Sequence, residues 1–373
     1  MKILITGGAG FIGSRLSLAL ISRGHRVTVL DNLSPQIHGD RSPLYAAIEG
    51  RVEFIRGDVR SREDLIRAIR DQQAVVHLAA ETGTGQSMYR IEHYVDVNVK
   101  GTANLLDLLS NTTHEVRRVV IASSRAIYGE GKYLCGKCGI VYPRARVNAD
   151  MERGDFCVKC PNCRANVQSV ATDEESRIHP TSLYGITKYN QEQMVMALAP
   201  ALGIESVALR YQNVYGPGQS LSNPYTGILS IFSTRIRNGN DIIIFEDGLE
   251  GRDFVYIDDV IAATVAAIEK PDAANRVFNV GSGVSTNVAT VAQLLVEAYR
   301  SNVSLRISGN FRVGDIRENF ADLSLISEVL RYRPQISFDQ GIKLFAQWVE
   351  GQSVKADAYE QSIHELKLRG LYK

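Results

Sequence analysis

Three glycines spaced three residues apart constrain this chain more than any other feature of its sequence. Gly7, Gly10 and Gly13 follow the short apolar strand predicted over Lys2–Thr6, and they open a helix predicted over Phe11–Arg23. Glycine at these positions permits a tight turn, close approach of the backbone to a pyrophosphate, and access to the free N–H groups of the helix N-terminus. A glycine triplet alone also fits an ordinary strand–helix turn, but its position between strand and helix favours a dinucleotide site.

The remainder of the first half continues the same alternation of strand and helix. Val- and Ile-rich runs predict four further strands, and apolar residues at helical spacing predict two further helices between them. Repeated units of this kind predict a doubly wound parallel sheet covered by helices on both faces, which is the Rossmann fold. The predicted strands are Arg26–Leu30, Val52–Ile55, Ala74–Leu78 and Arg118–Ala122, and the helices are Arg62–Arg70 and His93–Leu109.

The pattern predicts three parts of unequal size. Residues 1–215 form the dinucleotide-binding domain, interrupted by a Cys-rich insertion over 131–170. Residues 216–350 contain more turns and predict a smaller α/β substrate domain whose elements are interleaved with the first. Residues 351–373 are predicted to form a helical C-terminal tail.

Charge and hydropathy exclude several classes of partner. The 373 residues carry 42 Lys and Arg against 41 Asp and Glu, so a net charge of +1 provides no electrostatic basis for binding nucleic acid or a membrane surface. No apolar stretch is long enough to span a bilayer. The first strand begins almost directly after Met1, which disfavours a cleavable leader and predicts a cytoplasmic protein.

An acidic residue after the second strand predicts which dinucleotide binds. Asp31 lies about 20 residues beyond the glycines, where a carboxylate accepts hydrogen bonds from ribose hydroxyls and repels the extra phosphate of NADP. The alternative is a capping Asp. We therefore expect NAD, in contact with Gly7, Gly10, Phe11, Ile12, Gly13, Asp31, Asn32, Asp58, Val59, Leu78, Ala79 and Ala80.

A serine, a tyrosine and a lysine provide the candidate catalytic groups. Ser124 follows the fifth strand, and Tyr184 and Lys188 share one face of a helix predicted from Ser182 to Leu202. Free tyrosine has a pKa of about 10, and a nearby ammonium and a cationic nicotinamide would both favour its phenolate. A Tyr-x-x-x-Lys pair alone also occurs on solvated helix faces.

Taken in chain order, these motifs resemble one family. The glycine turn, Asp31, Asp58, Ser124, the Tyr184/Lys188 pair and the later run Arg252–Tyr256 resemble the extended short-chain dehydrogenase/reductases, in the branch of nucleotide-sugar epimerases and dehydratases. The resemblance implies that Ser124, Tyr184 and Lys188 are catalytic and that the partners are a nucleoside-diphosphate sugar and a second copy of the chain, as a homodimer. It adds Asn98, Ser123, Tyr184, Lys188 and Tyr211 to the NAD contacts, and it gives Thr82, Ser124, Arg125, Tyr184, Asn213, Arg252 and Arg317 as substrate contacts.

The residues after Ser124 indicate which reaction of this branch the chain catalyses. The family's 4,6-dehydratases have an Asp-Glu pair there, whereas this chain has Arg125-Ala126. Without those acids, water elimination is disfavoured and epimerisation at C4 fits best, by hydride transfer from C4 to NAD⁺, rotation of the 4-keto sugar and hydride return. The alternatives are a UDP-hexose or UDP-hexuronate 4-epimerase and, in another class, a non-catalytic NAD-binding scaffold, which would usually have lost the Tyr or the Lys.

The Cys-rich insertion predicts a metal site. Cys135/Cys138 and Cys160/Cys163 are two C-x-x-C motifs separated by 21 residues, which suits a closed tetrahedral zinc site resembling a zinc ribbon. Cys157 is a fifth candidate ligand, and a redox pair or free thiols are the alternatives. The insertion leaves the carboxyl end of the fifth strand, so we expect it at the rim of the sugar pocket. The run from Ser123 into the cysteines most resembles dTDP-L-rhamnose 4-epimerases, so the expected substrate pair is dTDP-L-rhamnose and dTDP-6-deoxy-L-talose.

Overall fold

A seven-stranded parallel sheet forms the centre of the molecule. The computed structural model describes residues 1–39, 42–225 and 227–373, and every pairing within this sheet is parallel. The predicted Rossmann-type α/β fold is therefore confirmed. Across the sheet the strands run in the order Arg276–Val280, Glu205–Tyr211, Arg118–Ser124, Ala74–His77, Lys2–Thr6, Arg26–Asp31 and Glu53–Arg56.

The strands are apolar on both faces because both faces are covered. Ile3 and Ile5 pack into the larger core cluster, whereas Leu4 between them packs into a second cluster on the opposite face. All three side chains are fully buried. Parallel sheets covered by crossover helices contain continuous apolar strands of this kind, which is why period-2 alternation is absent.

Helices cover both faces of the sheet and continue through the C-terminal half. The longer ones agree with the predicted spans within one or two residues at most ends. The α-helices are Phe11–Ser22, Pro35–His38, Pro43–Ile48, Arg62–Ile69, Thr84–Ser87, Ile91–Tyr94, Gly101–Asn111, Asn148–Met151, Leu183–Ala201, Ile228–Arg237, Ile257–Glu269, Val288–Ala298, Ser324–Leu330, Phe338–Glu350 and Tyr359–Leu368, with 3₁₀ turns at Arg125–Tyr128 and Pro271–Ala273.

One helix differs from its prediction in its internal geometry. The span predicted as one helix, His93–Leu109, consists of Ile91–Tyr94 and Gly101–Asn111 joined by a π-helical segment, Val95–Lys100. The π segment contains the buried Asn98. Such segments often occur at functional sites, and no hydrophobic period identifies them in a sequence.

The second half of the chain is interleaved with the first. The strand Arg276–Val280 pairs with Glu205–Tyr211 in the main sheet, and the helix Ile257–Glu269 lies beside Phe11–Ser22, where Arg15 and Asp258 approach within 3.9 Å. The predicted boundary between the two domains at residue 215 stays a prediction. Separate small sheets are built from Asn213–Tyr215, Gly251–Tyr256, Ser285–Asn287 and Glu318–Asn319, and from Ile242–Ile244 and Leu305–Ile307.

The Cys-rich insertion forms its own three-stranded antiparallel sheet. Its strands are Tyr133–Cys135, Gly139–Val141 and Gln168–Ser169, and Tyr133 lies opposite both Val141 and Ser169. Its main apolar cluster contains only five buried residues, namely Tyr133, Cys135, Val141, Val158 and Cys160.

The C-terminal tail is helical over Tyr359–Leu368, and its last residues pair with the segment beginning at Phe311. The Phe311 N–H donates to Lys373 O at 2.8 Å, and the Val313 N–H donates to Leu371 O at 3.0 Å. Across the described ranges, no helix is long and apolar enough to cross a membrane.

Candidate active site

A single cleft of about 1090 Å³ runs along the carboxyl ends of the strands, from the glycine turn to the start of the helix Leu183–Ala201. This edge is where open parallel sheets bind ligands. Nearly all predicted cofactor contacts line it: Gly7, Gly10, Phe11, Ile12, Gly13, Asp31, Asn32, Asp58, Val59, Leu78, Ala79, Ala80, Ser123, Tyr184, Lys188 and Tyr211.

The glycine turn has the shape that a dinucleotide requires. Gly7 has a φ of +69°, and a Cβ there would lie 2.8 Å from the Ala79 nitrogen. A Cβ on Gly13 would lie 2.4 Å from Gly7 O, so the turn and the helix start can be this close only with glycine. NAD fits these residues, because the backbone is open to a pyrophosphate at the helix N-terminus.

Asp31 is held at the end of its strand by backbone donors. The Ala9 N–H donates to its Oδ2 at 3.0 Å and the Leu33 N–H to its Oδ1 at 2.9 Å, which fixes the carboxylate in the cleft wall. His38 lies close by, with Nε2 3.4 Å from Asp31 Oδ1, and it also lines the cleft. His38 was not among the predicted contacts, since a histidine in a short loop helix carries no periodic signal.

The three predicted catalytic residues meet at the inner end of the cleft. Ser124 is the last residue of its strand, and Ser182 caps the catalytic helix by accepting from the Gly185 N–H at 3.2 Å. This cap places Tyr184 in the first turn and Lys188 one turn further, on the same face. Both side chains line the cleft together with Ser124.

The pKa values of this group are set chiefly by burial. Burial raises the pKa of Tyr184, while the hydrogen bond from Ser124 and the charge of Arg125 lower it. Burial also lowers the pKa of Lys188 to about 7. Desolvation disfavours the charged forms of both groups, so a phenolate here depends on the neighbours that oppose it.

A series of buried side-chain hydrogen bonds holds the Lys188 amino group in place. Lys188 Nζ donates to Gln191 Oε1 at 2.6 Å, and Gln191 Nε2 donates to Thr102 Oγ1 at 2.8 Å. His77 lies 3.0 Å from Thr102 Oγ1, and burial lowers its pKa to about 3, which keeps it neutral. Gln191 was not among the predicted site residues, although its spacing three residues after Lys188 was a usable signal.

Asn98 is the exception among the predicted cofactor contacts. It is fully buried behind the cleft wall, where its Oδ1 accepts from the Glu81 N–H at 2.7 Å and its Nδ2 donates to Thr187 Oγ1 at 2.9 Å. Its expected contact with NAD stays a prediction. Asn98 links the loop after the fourth sheet strand to the catalytic helix, and it is not among the residues that line the cleft.

The predicted substrate contacts divide into two groups. Thr82, Ser124 and Tyr184 line the cleft, whereas Arg125, Asn213, Arg252 and Arg317 lie outside its lining. Arg125 Nε donates to Asn213 Oδ1 at 2.9 Å, so these two residues form a pair next to Ser124.

Two of the arginines expected among the substrate contacts, Arg252 and Arg317, are engaged within the protein. Arg252 donates to the carbonyls of Gly251, Ile316 and Arg317 at 2.7–3.0 Å. Arg317 forms a fork with the Asp247 carboxylate, at 2.6 and 2.9 Å. A sequence motif identifies a guanidinium but not the competing acceptors that the fold brings to it.

Four of the five cysteines converge. The sulfurs of Cys135, Cys138, Cys160 and Cys163 all lie within 4.8 Å of one another, and Cys135 and Cys163 are 3.6 Å apart. Tetrahedral zinc with Zn–S bonds of about 2.3 Å requires S–S separations of about 3.8 Å, so the cluster has suitable dimensions. Cys157 is exposed and lies outside it. Hydrogen bonds from the Lys137 and Cys138 N–H groups lower the pKa of Cys135 to about 7.

The chain is similar to a known protein family over most of its length. The model of the NAD dependent epimerase/dehydratase family matches residues 3–143 and 161–281. The chain belongs to this family. The predicted resemblance is thereby confirmed, and with it the prediction that the protein is an NAD-dependent enzyme. The family match omits residues 144–160, which lie inside the Cys-rich insertion.

Individual members of the family extend the match over nearly the whole chain. The dTDP-L-rhamnose 4-epimerase of Burkholderia thailandensis is 39% identical over 350 residues, which are 93% of this chain and 94% of that protein. Among solved structures, the Thermotoga maritima UDP-glucose 4-epimerase with UDP-glucose is 30% identical with a TM-score of 0.77, and the Bacillus cereus UDP-glucuronic acid 4-epimerase with UDP-glucuronic acid and NAD is 27% identical with a TM-score of 0.76. Each comparison covers 94% of this chain and 99% of the other.

Proposed function

We propose that this family member is an NAD-dependent 4-epimerase of a nucleoside-diphosphate sugar, with dTDP-L-rhamnose and dTDP-6-deoxy-L-talose as its substrate pair. The observation that carries this proposal is the meeting of Ser124, Tyr184 and Lys188 in one cleft with the glycine turn and Asp31. A scaffold that only bound NAD would not require the three catalytic side chains.

The reaction assigns a separate task to each side chain. NAD supplies the hydride acceptor and donor for C4 of the sugar. Tyr184 Oη removes the proton from the C4 hydroxyl and returns it later, as a general base and then a general acid. Ser124 holds the same substrate oxygen. Lys188, held by Gln191, would contact the nicotinamide ribose, as the family resemblance implies.

The side chains after Ser124 argue against elimination of water. A dehydratase needs acid and base groups that act on C5 and C6, whereas this chain has Arg125 and Ala126 after the serine. Arg125 is held towards Asn213 and lowers the pKa of Tyr184. A cation at this position favours the phenolate but cannot remove the C5 proton.

The choice of sugar rests on the relatives. The Burkholderia relative, at 39% identity, is named for dTDP-L-rhamnose, and the two structural relatives are named for UDP-glucose and UDP-glucuronic acid. UDP-hexoses and UDP-hexuronates are therefore the second candidates. The closer identity to the first relative favours the deoxy sugar.

A panel of nucleotide sugars tests the proposal. Purified enzyme without added reductant is incubated with dTDP-L-rhamnose, UDP-glucose, UDP-galactose and UDP-glucuronic acid, and the products are separated and assigned by NMR. We expect the dTDP sugar to reach an equilibrium of its two C4 epimers. If only the UDP sugars are converted, the protein is instead a UDP-hexose or UDP-hexuronate 4-epimerase.

The same incubation in deuterated water tests the mechanism. Return of the hydride to C4 leaves no solvent deuterium in the sugar. Deuterium at C5 would indicate enolisation, and therefore a dehydratase or a 3,5-epimerase.

The four converging cysteines support a structural zinc ion as part of this proposal, with Cys135, Cys138, Cys160 and Cys163 as its ligands. A closed Cys₄ site leaves no open position for substrate, so its contribution would be to the fold of the insertion.

The homodimer and the division into domains also remain proposals.

A further inference from the structure

One arginine of the Cys-rich insertion is buried where the insertion meets the rest of the molecule. The side chain of Arg146 is only 3% exposed. Its two terminal nitrogens form a fork with the Glu246 carboxylate, at 2.5 and 2.7 Å, and Nη2 also donates to Asp315 O at 3.0 Å. A planar guanidinium is the one side chain that can form such a fork and bind a carbonyl simultaneously.

The carbonyl that Arg146 holds belongs to a segment, Arg312–Arg317, which also contacts the active-site elements. Thr181, three residues before Tyr184, donates its hydroxyl to Gly314 O at 3.0 Å. The Arg317 N–H donates to Glu130 Oε2 at 2.8 Å, and Glu130 lies six residues after Ser124. The segment therefore lies between the insertion and the chain on either side of the catalytic residues.

The same segment contacts two of the substrate contacts that the family resemblance implies, Arg252 and Arg317. Arg252 donates to Ile316 O and Arg317 O, and Arg317 is itself part of the segment. The charges of Arg252 and Asp315 both act on Arg125. Burial lowers the Arg125 pKa most, the charge of Arg252 lowers it further, and the charge of Asp315 raises it. Neighbouring guanidinium groups attract a polyanion such as a diphosphate.

Charge balance explains why an arginine stands at this position. Glu130 and Glu246 are almost fully buried, with Arg146 between them; its Nε lies 3.4 Å from Glu130 Oε1. Buried carboxylates need a paired cation. The fork to Glu246 and the bond to Asp315 O also make this pairing directional, so Arg146 fixes the segment in one place.

We infer that Arg146 is a positioning residue through which the Cys-rich insertion controls binding of the nucleoside-diphosphate part of the substrate. The inference rests on the proposed function for the identity of the ligand. It gives the insertion a role in substrate affinity even though none of its residues lines the cleft described above.

The test compares two substitutions with a matched control. Arg146→Met removes the charge and the fork with little change in length, and Arg146→Lys retains the charge but loses the fork. Arg153→Met, at an exposed arginine of the same insertion that pairs only with Asp150 among the described residues, is the control. The holoenzyme is titrated with dTDP and with UDP by calorimetry, and bound NAD and thermal unfolding are measured in parallel.

We expect Arg146→Met to weaken nucleotide affinity by about 10-fold or more, which corresponds to one lost charge-assisted hydrogen bond. Arg146→Lys should weaken it by at least about 3-fold, because the fork is lost. NAD content should remain that of the wild type, and the Arg153→Met affinity should stay unchanged. If the Met variant does not fold, the Lys variant decides by the same criterion.

Several outcomes would overturn the inference. The first is a folded Arg146→Lys variant that binds nucleotide with wild-type affinity. The second is a loss of bound NAD as large as the loss of nucleotide affinity, because this would indicate general destabilisation. A wild-type chain that binds neither nucleotide would also refute it. If dTDP or UDP binds but no sugar is epimerised, the proposed function fails and the affinity comparison still tests Arg146.

Discussion

The cofactor cleft and the Cys-rich insertion lie close together but are stabilised by different means. The cleft is built on seven hydrogen-bonded strands between two large apolar clusters. The insertion has three short strands and a main cluster of five buried residues, two of which are cysteines. A core of that size rarely holds a fold by itself, so small units of this kind often use a metal or a disulfide.

The comparison indicates what a substitution in each region should disrupt. Groups in the cleft are held by the backbone of a large sheet, so a single side chain can be changed there with little effect on the fold. In the insertion, two of the four proposed ligands, Cys135 and Cys160, are also core residues. We therefore expect chemistry to fail without unfolding in the cleft, and local structure to fail together with the metal in the insertion.

The largest effect should follow from Tyr184→Phe. The substitution retains the ring and its packing but removes the group that exchanges a proton with the sugar. The epimerisation rate should fall by about 10²–10⁴-fold, the usual contribution of general acid–base catalysis. Rate measurements, with bound NAD and thermal unfolding as controls, check this. Full activity in this variant would contradict the role of Tyr184.

The next largest effect should follow from Cys160→Ser together with Cys163→Ser. Zinc content should fall from near one equivalent to near zero, because two of four ligands are lost. The KM for the nucleotide sugar should rise on the order of 10-fold, through the disordered contact at Arg146. NAD content should not change, since the glycine turn belongs to the main sheet. Elemental analysis and kinetics provide the measurements.

Cys157→Ser is the matched control for this experiment, because Cys157 is exposed and lies outside the cluster. It should retain zinc and activity. Zinc retained by the double variant would refute the ligand assignment, and loss of NAD in the double variant would show that the two regions are not independent.

The smallest effect should follow from Ser124→Ala. The rate should fall by roughly 3- to 8-fold, because one hydrogen bond to the reacting oxygen is lost while the base remains. The Ser124 hydrogen bond lowers the pKa of Tyr184. Its loss raises that pKa, so the acidic limb of the pH–rate profile should move to higher pH. Ser124→Thr retains a hydroxyl and should restore the limb; an unmoved limb in Ser124→Ala would contradict the assigned bond.

The sequence predicted those parts of the molecule that local patterns encode. The glycine turn, Asp31 and the Tyr184/Lys188 pair each depend on a strand end or a helix face, and the structure brings them to one cleft. The cysteine spacing predicted the four sulfurs that converge and left Cys157 as an open alternative, which the structure separates from the cluster.

Other parts were beyond prediction because they depend on contacts between distant segments. Asn98 faces Thr187 rather than the cleft, and Arg317 meets Asp247, because the fold brings together residues that no local period relates. Arg146 and Glu246 are 100 residues apart in sequence. A buried arginine in a loop cannot be distinguished from an exposed one by composition.

The pairing of Tyr133 with Ser169 has a consequence for the history of the chain. Antiparallel partners have Cα atoms only about 5 Å apart, so the insertion enters and leaves the molecule through adjacent positions. A segment with such closely spaced ends can be gained, lost or exchanged as a cassette, without stretching the backbone that remains. Such an exchange would leave the seven-stranded sheet and its cofactor cleft in place.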